Sequence, residues 1–428
     1  MNEIGLIQLI EISRFLKEKT TLLGIGPMSK TVVDASIESA IENDFPLFFI
    51  ASRNQIDRSE FGYGYVETWD QRKFSSYIEK VTKKLEFNGL LFKCRDHGGP
   101  WQRDEELMNK IPVETSMNNA LDSYKADIDA GFNFLHIDTS RDPNYSGMVP
   151  YDVAIDRAIY LMKAIEEYRL KRRKEGLYYE ISLEETSSIC SVINEFKYFV
   201  DLIMNQISTY KLPKPVFIVG NTGTLTRMDK NVGSFNPEIV EKLKKISEKY
   251  GMILKEHNAD YLDSQCLKMH PELGIGMANV APEFGKLETD ALIKLAMMED
   301  SYFSENNIEK VDRSNFLPII FSHITRSNKW AKWSLNKDAG MDSIDNPEFK
   351  ELMIKVCGHY FYSKDELEAA RKTLFANVKK LNIMKNPEEY VKNNIKTGIQ
   401  RYVDAFNLKN LTSKVMEYRS FEKKNIVG

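Results

Sequence analysis

Through the first two thirds of the chain, short apolar runs alternate with longer segments of helical periodicity. The runs are Leu22 to Pro27, Phe45 to Ala51, Leu90 to His97, Phe132 to Asp138, Leu177 to Leu183, Pro215 to Val219, Met252 to His257 and Gly274 to Val280. Each is short, apolar and bounded by turn or polar residues, which predicts buried strands. Between them, Lys30–Glu42, Trp69–Leu85, Thr115–Ala130, Tyr151–Lys174, Ile189–Ile207 and a segment opened by Asn236-Pro237 have helical character. An Asn cap with Pro at the first helical position fits that last start. Eight such strands alternating with helices over roughly 280 residues is the rhythm of a (β/α)8 TIM barrel. A doubly wound open sheet is the rival, but the Gly-rich turn of a dinucleotide-binding one is absent.

Beyond Glu299 the pattern turns mostly helical. Ser363-Lys364-Asp365-Glu366 reads as a capping box ahead of the stripe Leu367, Ala370, Leu374, Val378 and Leu381. A second stripe, Val391, Ile395, Ile399, Val403 and Phe406, follows Asn386-Pro387. The expected organisation is a barrel with an N-terminal helix over 1–299 and a helical appendage packed on it over 300–428.

Composition narrows the class. The 428 residues carry a net charge of −3, so no global field argues for nucleic acid or an anionic membrane as partner. No apolar run approaches the length of a membrane span. Four scattered cysteines form no CxxC pair, which fits a reducing, cytoplasmic setting.

The chemistry collects at the strand ends, which in a β/α barrel share one rim. Asn54 and Gln55, Asp96 and His97, His136 and Asp138, Glu184 or Glu185, Asn221, His257 and Asn279 all fall there. His97, Glu184 and His257 come from strands three, five and seven, and two imidazoles with one carboxylate suffice for a catalytic divalent metal, zinc above all. Asp96 is then the candidate general base. Adjacent residues of a strand point to opposite faces, so Asp96 and His97 share a site only if the strand bends between them. Gly98-Gly99 offers the place for such a bend.

These residues resemble the tagatose-bisphosphate aldolase accessory-subunit family (GatZ/KbaZ/AgaZ type, also called tagatose-6-phosphate kinase). The matching stretches are Asn54-Gln55, Asp96-His97 with Gly99-Pro100, His136 to Ser140, Glu184, and Glu256 to Tyr261. More distantly, the layout is similar to class II fructose-bisphosphate aldolases. The resemblance implies a metal-dependent barrel acting on ketose phosphates, with His97 and His257 as ligands, Asp96 as acid/base, and Glu184 as ligand or neighbouring acid. Asn54, Gln55, His136, Asp138, Asn221 and Asn279 are the expected substrate contacts. The sixth-strand histidine ligand of the class II enzymes is absent; Gly220-Asn221-Thr222 stands there, so the resemblance implies a metal shell completed by Glu184, or by Asp138 or His136. Their Gly-rich phosphate loops after strands seven and eight are replaced by Asn258-Ala259-Asp260 and Ala281-Pro282-Glu283. Arg53 stands where a small residue is usual, and Arg53, Arg95, Arg141 or Arg227 is the candidate to supply phosphate-binding charge. The expected activity is aldol cleavage between C3 and C4 of a ketose phosphate, or C4 epimerisation by the same step. The alternative is a non-catalytic subunit that stabilises a separate class II aldolase; a homo-oligomer is the other assembly expected. No Walker-type loop supports a kinase.

Overall fold

The computed structural model describes residues 5–182, 189–306, 313–327, 329 and 346–427. Eight parallel strands close a barrel in chain order: β1 Leu22–Ile25, β2 Leu47–Ser52, β3 Leu91–Gly98, β4 Phe134–Asp138, β5 Tyr178–Ser182, β6 Phe217–Val219, β7 Ile253–Glu256 and β8 Met277–Val280. β8 pairs with β1 in register Leu22 to Met277 and closes the ring. The TIM barrel expected from the sequence is therefore the fold. Seven of the eight strands are buried along most of their length, because helices cover their outer face and side chains fill the interior. That is why they read as unbroken apolar runs rather than alternating ones. Phe48 and Phe92 stack at 4.6 Å between ring centroids, and Phe134 meets Phe217 edge to face at 5.5 Å.

Some outer helices start where the sequence supplies a cap. Asp70 accepts from the Lys73 amide ahead of Gln71–Lys84, and Asn236 accepts from Glu238 and Ile239 ahead of Pro237–Lys249. Ser363 does not cap its helix. Asp365–Lys380 begins without a side-chain cap bond, and the Ser363 hydroxyl instead donates to the Tyr65 carbonyl at 3.0 Å. That tie fastens the C-terminal helices to the loop after β2.

The C-terminal part packs in two ways. Phe316–Ser327, Pro347–Cys357 and Asp365–Lys380 form a second core with Leu292 and Leu295. Ile395, Ile399, Tyr402, Val403 and Phe406 return to the barrel core. The helix Pro282–Glu305 runs through both cores, so the boundary expected at residue 299 falls inside a continuous helix.

Candidate metal centre

Strand β3 resolves the problem of its own two neighbours. Its register with β4 shifts between Arg95 and Gly98, and His97 adopts a left-handed backbone with φ of 42°. Arg95 points outward, where its guanidinium grips Asp127 through Nε at 2.8 Å. Without the bulge, His97 would follow it outward; the turn brings the imidazole back inside. Glycine makes the bend possible. At Gly99, φ is 128° and a Cβ would lie 2.0 Å from the Asp138 carbonyl, so only glycine lets the chain pass β4 there.

Three imidazoles meet inside the mouth. Ring centroids of His97 and His257 are 5.0 Å apart, those of His136 and His257 5.0 Å, and those of His97 and His136 5.4 Å. His97 Nδ1 lies 2.8 Å from Asp138 Oδ2, an orienting contact of the kind that fixes metal-binding histidines. His136 Nδ1 accepts from the His97 amide at 3.1 Å, which puts its proton on Nε2, 2.6 Å from the Ser182 hydroxyl. Asn279 Nδ2 donates to Asp96 Oδ1 at 3.1 Å.

Glu180 and Lys255 complete the cluster. Lys255 Nζ lies 2.6 Å from Glu180 Oε2, with both side chains about 1% exposed. The other Glu180 oxygen bonds His257 Nε2. Burial pushes Glu180 up, but Lys255 and the imidazoles of His136 and His257 outweigh it and bring it down to about 2. Burial also opposes ionisation of Asp96; His97 and His257 overcome it and hold the carboxyl well below the usual carboxylate range. Asp138 is likewise held low against burial, chiefly by its bond to His97.

The donor set suits a divalent ion. Ligand atoms of His97, His136 and His257 lie within 4.8 Å of one another, as do those of Asp96, His136, Glu180 and His257. Imidazole nitrogens and carboxylate oxygens at that spacing are the ligands of catalytic zinc sites. The residues present therefore fit the ion expected from the sequence.

Not every expected residue joins. Arg53 is fully buried, with Nε 3.0 Å from Asp57, Nη2 2.8 Å from Glu106 and Nη1 donating to the Gly99 carbonyl. Its charge is spent on the loops after β2 and β3. Asn54 bridges the same loops, donating to the Gln102 carbonyl at 3.1 Å and accepting from the Asp104 amide at 3.0 Å. Gln55 Oε1 accepts from the Ser52 amide at 2.8 Å. Asn221 lines a cavity of about 100 Å³ beside His257, with Tyr151, Phe196 and Phe199 as its aromatic wall. Glu184 lies outside the described residues. A larger groove of about 520 Å³ runs along the outer wall between Lys30, Tyr77 and Arg371, away from these strand ends.

Residues 8–185 match the model of the D-tagatose-1,6-bisphosphate aldolase subunit GatZ/KbaZ-like family. The resemblance seen in the sequence is borne out. The GatZ/KbaZ-like span holds Asp96, His97, His136, Asp138 and Glu180, while Lys255, His257 and Asn279 follow it. The chain is 25% identical over 308 residues to the D-tagatose-1,6-bisphosphate aldolase subunit GatZ of Klebsiella oxytoca, covering 65% of this chain and 68% of that one. The fold is shared with a probable tagatose 6 phosphate kinase from Sinorhizobium meliloti 1021, at TM-score 0.69 and 17% identity over 90% of this chain and all of that one. It is also shared with a fructuronate-tagaturonate epimerase from Cohnella laeviribosi (TM-score 0.53, 10% identity, 92% of this chain, 82% of that one). A fructose-bisphosphate aldolase from Campylobacter jejuni gives TM-score 0.51 at 10% identity, over 94% of this chain and 93% of that one.

Glu180, Lys255 and Ser182 went unmarked in the sequence as site residues. A signal existed: Glu180 and Lys255 are charges inside buried runs, each two residues before a polar strand end, and residues two apart share a face.

Proposed function

We propose that this protein is a metal-dependent catalyst of aldol chemistry on a ketose, breaking C3–C4 as a lyase or breaking and remaking it as a C4-epimerase. The observation that carries this is the convergence of three imidazoles with Asp96 and Glu180 at one point of the barrel mouth. His97 and His257 would hold the ion, with a carboxylate from Glu180 or from Glu184 to complete the set. A bound divalent ion, zinc by its donors, supplies the positive charge against which a ketose carbonyl is polarised. Asp96, kept ionised by its neighbours, takes the proton from the C4 hydroxyl as the C3–C4 bond opens. Asn279 fixes that carboxylate through Oδ1. Returning the proton after release of the aldehyde gives two fragments. Returning it after the aldehyde has turned over and rejoined gives the epimer.

The test is to incubate the metal-loaded protein with ketohexoses and their phosphates and follow fragments and epimers by NMR, with and without chelator and with Asp96→Asn. Activity that survives both treatments sinks the mechanism. A second reading is favoured by the family's description as an aldolase subunit. In it the chain stabilises a separate class II aldolase and turns over nothing alone. Co-expression with such an aldolase, followed by co-purification and a rise in the partner's half-life, supports that reading.

A further inference from the structure

In β/α barrels a substrate phosphate is commonly seated by the loops after strands seven and eight and a helix N-terminus beside them. Here that corner is β7, β8 and the start of Pro282–Glu305, and three of its backbone donors are taken by carboxyl groups. Asp260 Oδ1 accepts from the Ala281 amide at 3.1 Å and from the Glu283 amide at 2.9 Å. Pro282, between them, has no N–H. Glu283 Oε2 accepts from the Tyr261 amide at 2.6 Å. Arg401 and Tyr402, on the C-terminal helix Pro387–Ala405, clamp Glu283 from outside: Arg401 Nη2 bonds Oε1, and the Tyr402 hydroxyl lies 2.5 Å from Oε2. Both carboxyl side chains belong to buried residues. The crowding of negative charge is felt within the pair, since burial and the neighbouring Glu283 push Asp260 up to about 8. A phosphate placed there would meet two buried carboxyl groups, and none of these three amides would be free to receive it.

Resting on the proposed ketose chemistry, we infer that Asp260 and Glu283 fill the phosphate cradle from within, so that the substrate carries no phosphate at the end lying over β7 and β8. Ketose bisphosphates are thereby excluded, and a ketose free of phosphate at that end is the class that fits. Asp260 and Glu283 act as specificity determinants by occupying donors, and the C-terminal helix holds the plug in place.

The test is calorimetric titration of the metal-loaded protein with three probes: inorganic phosphate, a ketohexose 1,6-bisphosphate and the unphosphorylated ketohexose. Wild type is expected to bind the plain ketose more tightly than the bisphosphate, and to bind phosphate weakly. Glu283→Ala, which releases the Tyr261 amide and Arg401, is expected to bind phosphate at least about tenfold more tightly, the worth of one charge-assisted contact. A bisphosphate that outbinds the plain ketose overturns the inference, as does a folded Glu283→Ala protein with unchanged phosphate affinity. If that variant does not fold, the wild-type comparison decides alone. The phosphate titration reads the cradle whether or not any ketose is turned over, whereas absence of turnover with every ketose counts against the proposed function only.

Discussion

Lys255 places its ammonium 2.6 Å from the Glu180 carboxylate inside the barrel, between the rings of Phe134 and Phe217 at 5.5 and 5.9 Å. Two charges so deep are tolerable only together, because each alone would lose its water without compensation. Glu180 in turn fixes the ring of His257. Lys255→Met should therefore cost about 3–5 kcal/mol, the usual penalty for stripping a buried charge of its partner. Urea denaturation of the metal-free protein measures it. The double variant Lys255→Met with Glu180→Gln should recover most of the loss, since no charge is then left unpaired. A single variant as stable as wild type would show that the pair is not closed off from water.

Asp96 can be a base, a ligand or both, and the Asn substitution separates the roles. With His97 and His257 intact, Asp96→Asn should retain metal at close to wild-type stoichiometry. It should lose about 10²–10⁴-fold in kcat, the contribution of a positioned general base. Metal analysis and initial rates on the same preparation report both. Loss of the metal would instead make Asp96 a ligand.

Asp138 touches the proposed ion only through His97. Its carboxylate holds the imidazole by Nδ1 and is itself tied to the Ser140 amide and hydroxyl at 3.0 and 2.6 Å. Asp138→Ala should lower metal affinity by about 10–100-fold, the ordinary effect of removing an outer carboxylate. His97→Ala should lower it much further. Competition with a chromogenic chelator gives both constants without any assay of turnover.

The barrel was legible because strand length, apolar content and turn residues repeat along the chain and depend on local sequence alone. That Asp96, His97, His136, Asp138, His257 and Asn279 would lie near one another was legible because strand ends share a rim. Arg53 was misleading for a physical reason. A guanidinium in a loop near the mouth looks available until its partners are known, and Asp57 and Glu106 lie 4 and 53 positions along the chain. Glu180 and Lys255 escaped for the opposite reason. Their meaning lies in each other, 75 positions apart, and neither run alone shows that its charge is paired. The capping box at Ser363 failed because the helix starts one residue later, with Lys364 at the N-cap, and the Ser363 hydroxyl is turned to the Tyr65 carbonyl.

The buried cluster around Arg53 gives a prediction that separates fold from chemistry. Arg53→Ala leaves Asp57 and Glu106 short of their central cation, although Arg103 still approaches Asp57 at 3.5 Å. A stability loss of about 3–5 kcal/mol is expected, with metal affinity unchanged. Arg53→Lys should recover only part, because an ammonium cannot bond two carboxylates and the Gly99 carbonyl in one plane. A stable Arg53→Ala protein with weakened ketose binding would restore the substrate role expected from the sequence.

Acid should strain the second core through His359. The residue is buried against Tyr65 and Tyr360, and among the described residues neither ring nitrogen has a hydrogen-bond partner. Burial, reinforced by the charge of Lys329, lowers its pKa to about 3 from an ordinary value near 6.5. The folded state then binds fewer protons than the unfolded one between those two values. Stability from this group is complete above the unfolded value and falls as pH drops through 6.5 toward 3, by about 1.4 kcal/mol per unit. At pH 5 the deficit is about 2 kcal/mol. His359→Phe keeps the ring and removes the proton site, so the gap between variant and wild type should open as pH falls from 7 to 5. Paired urea titrations at the two pH values measure that gap; a constant difference would mean that His359 titrates alike in the folded and unfolded chains.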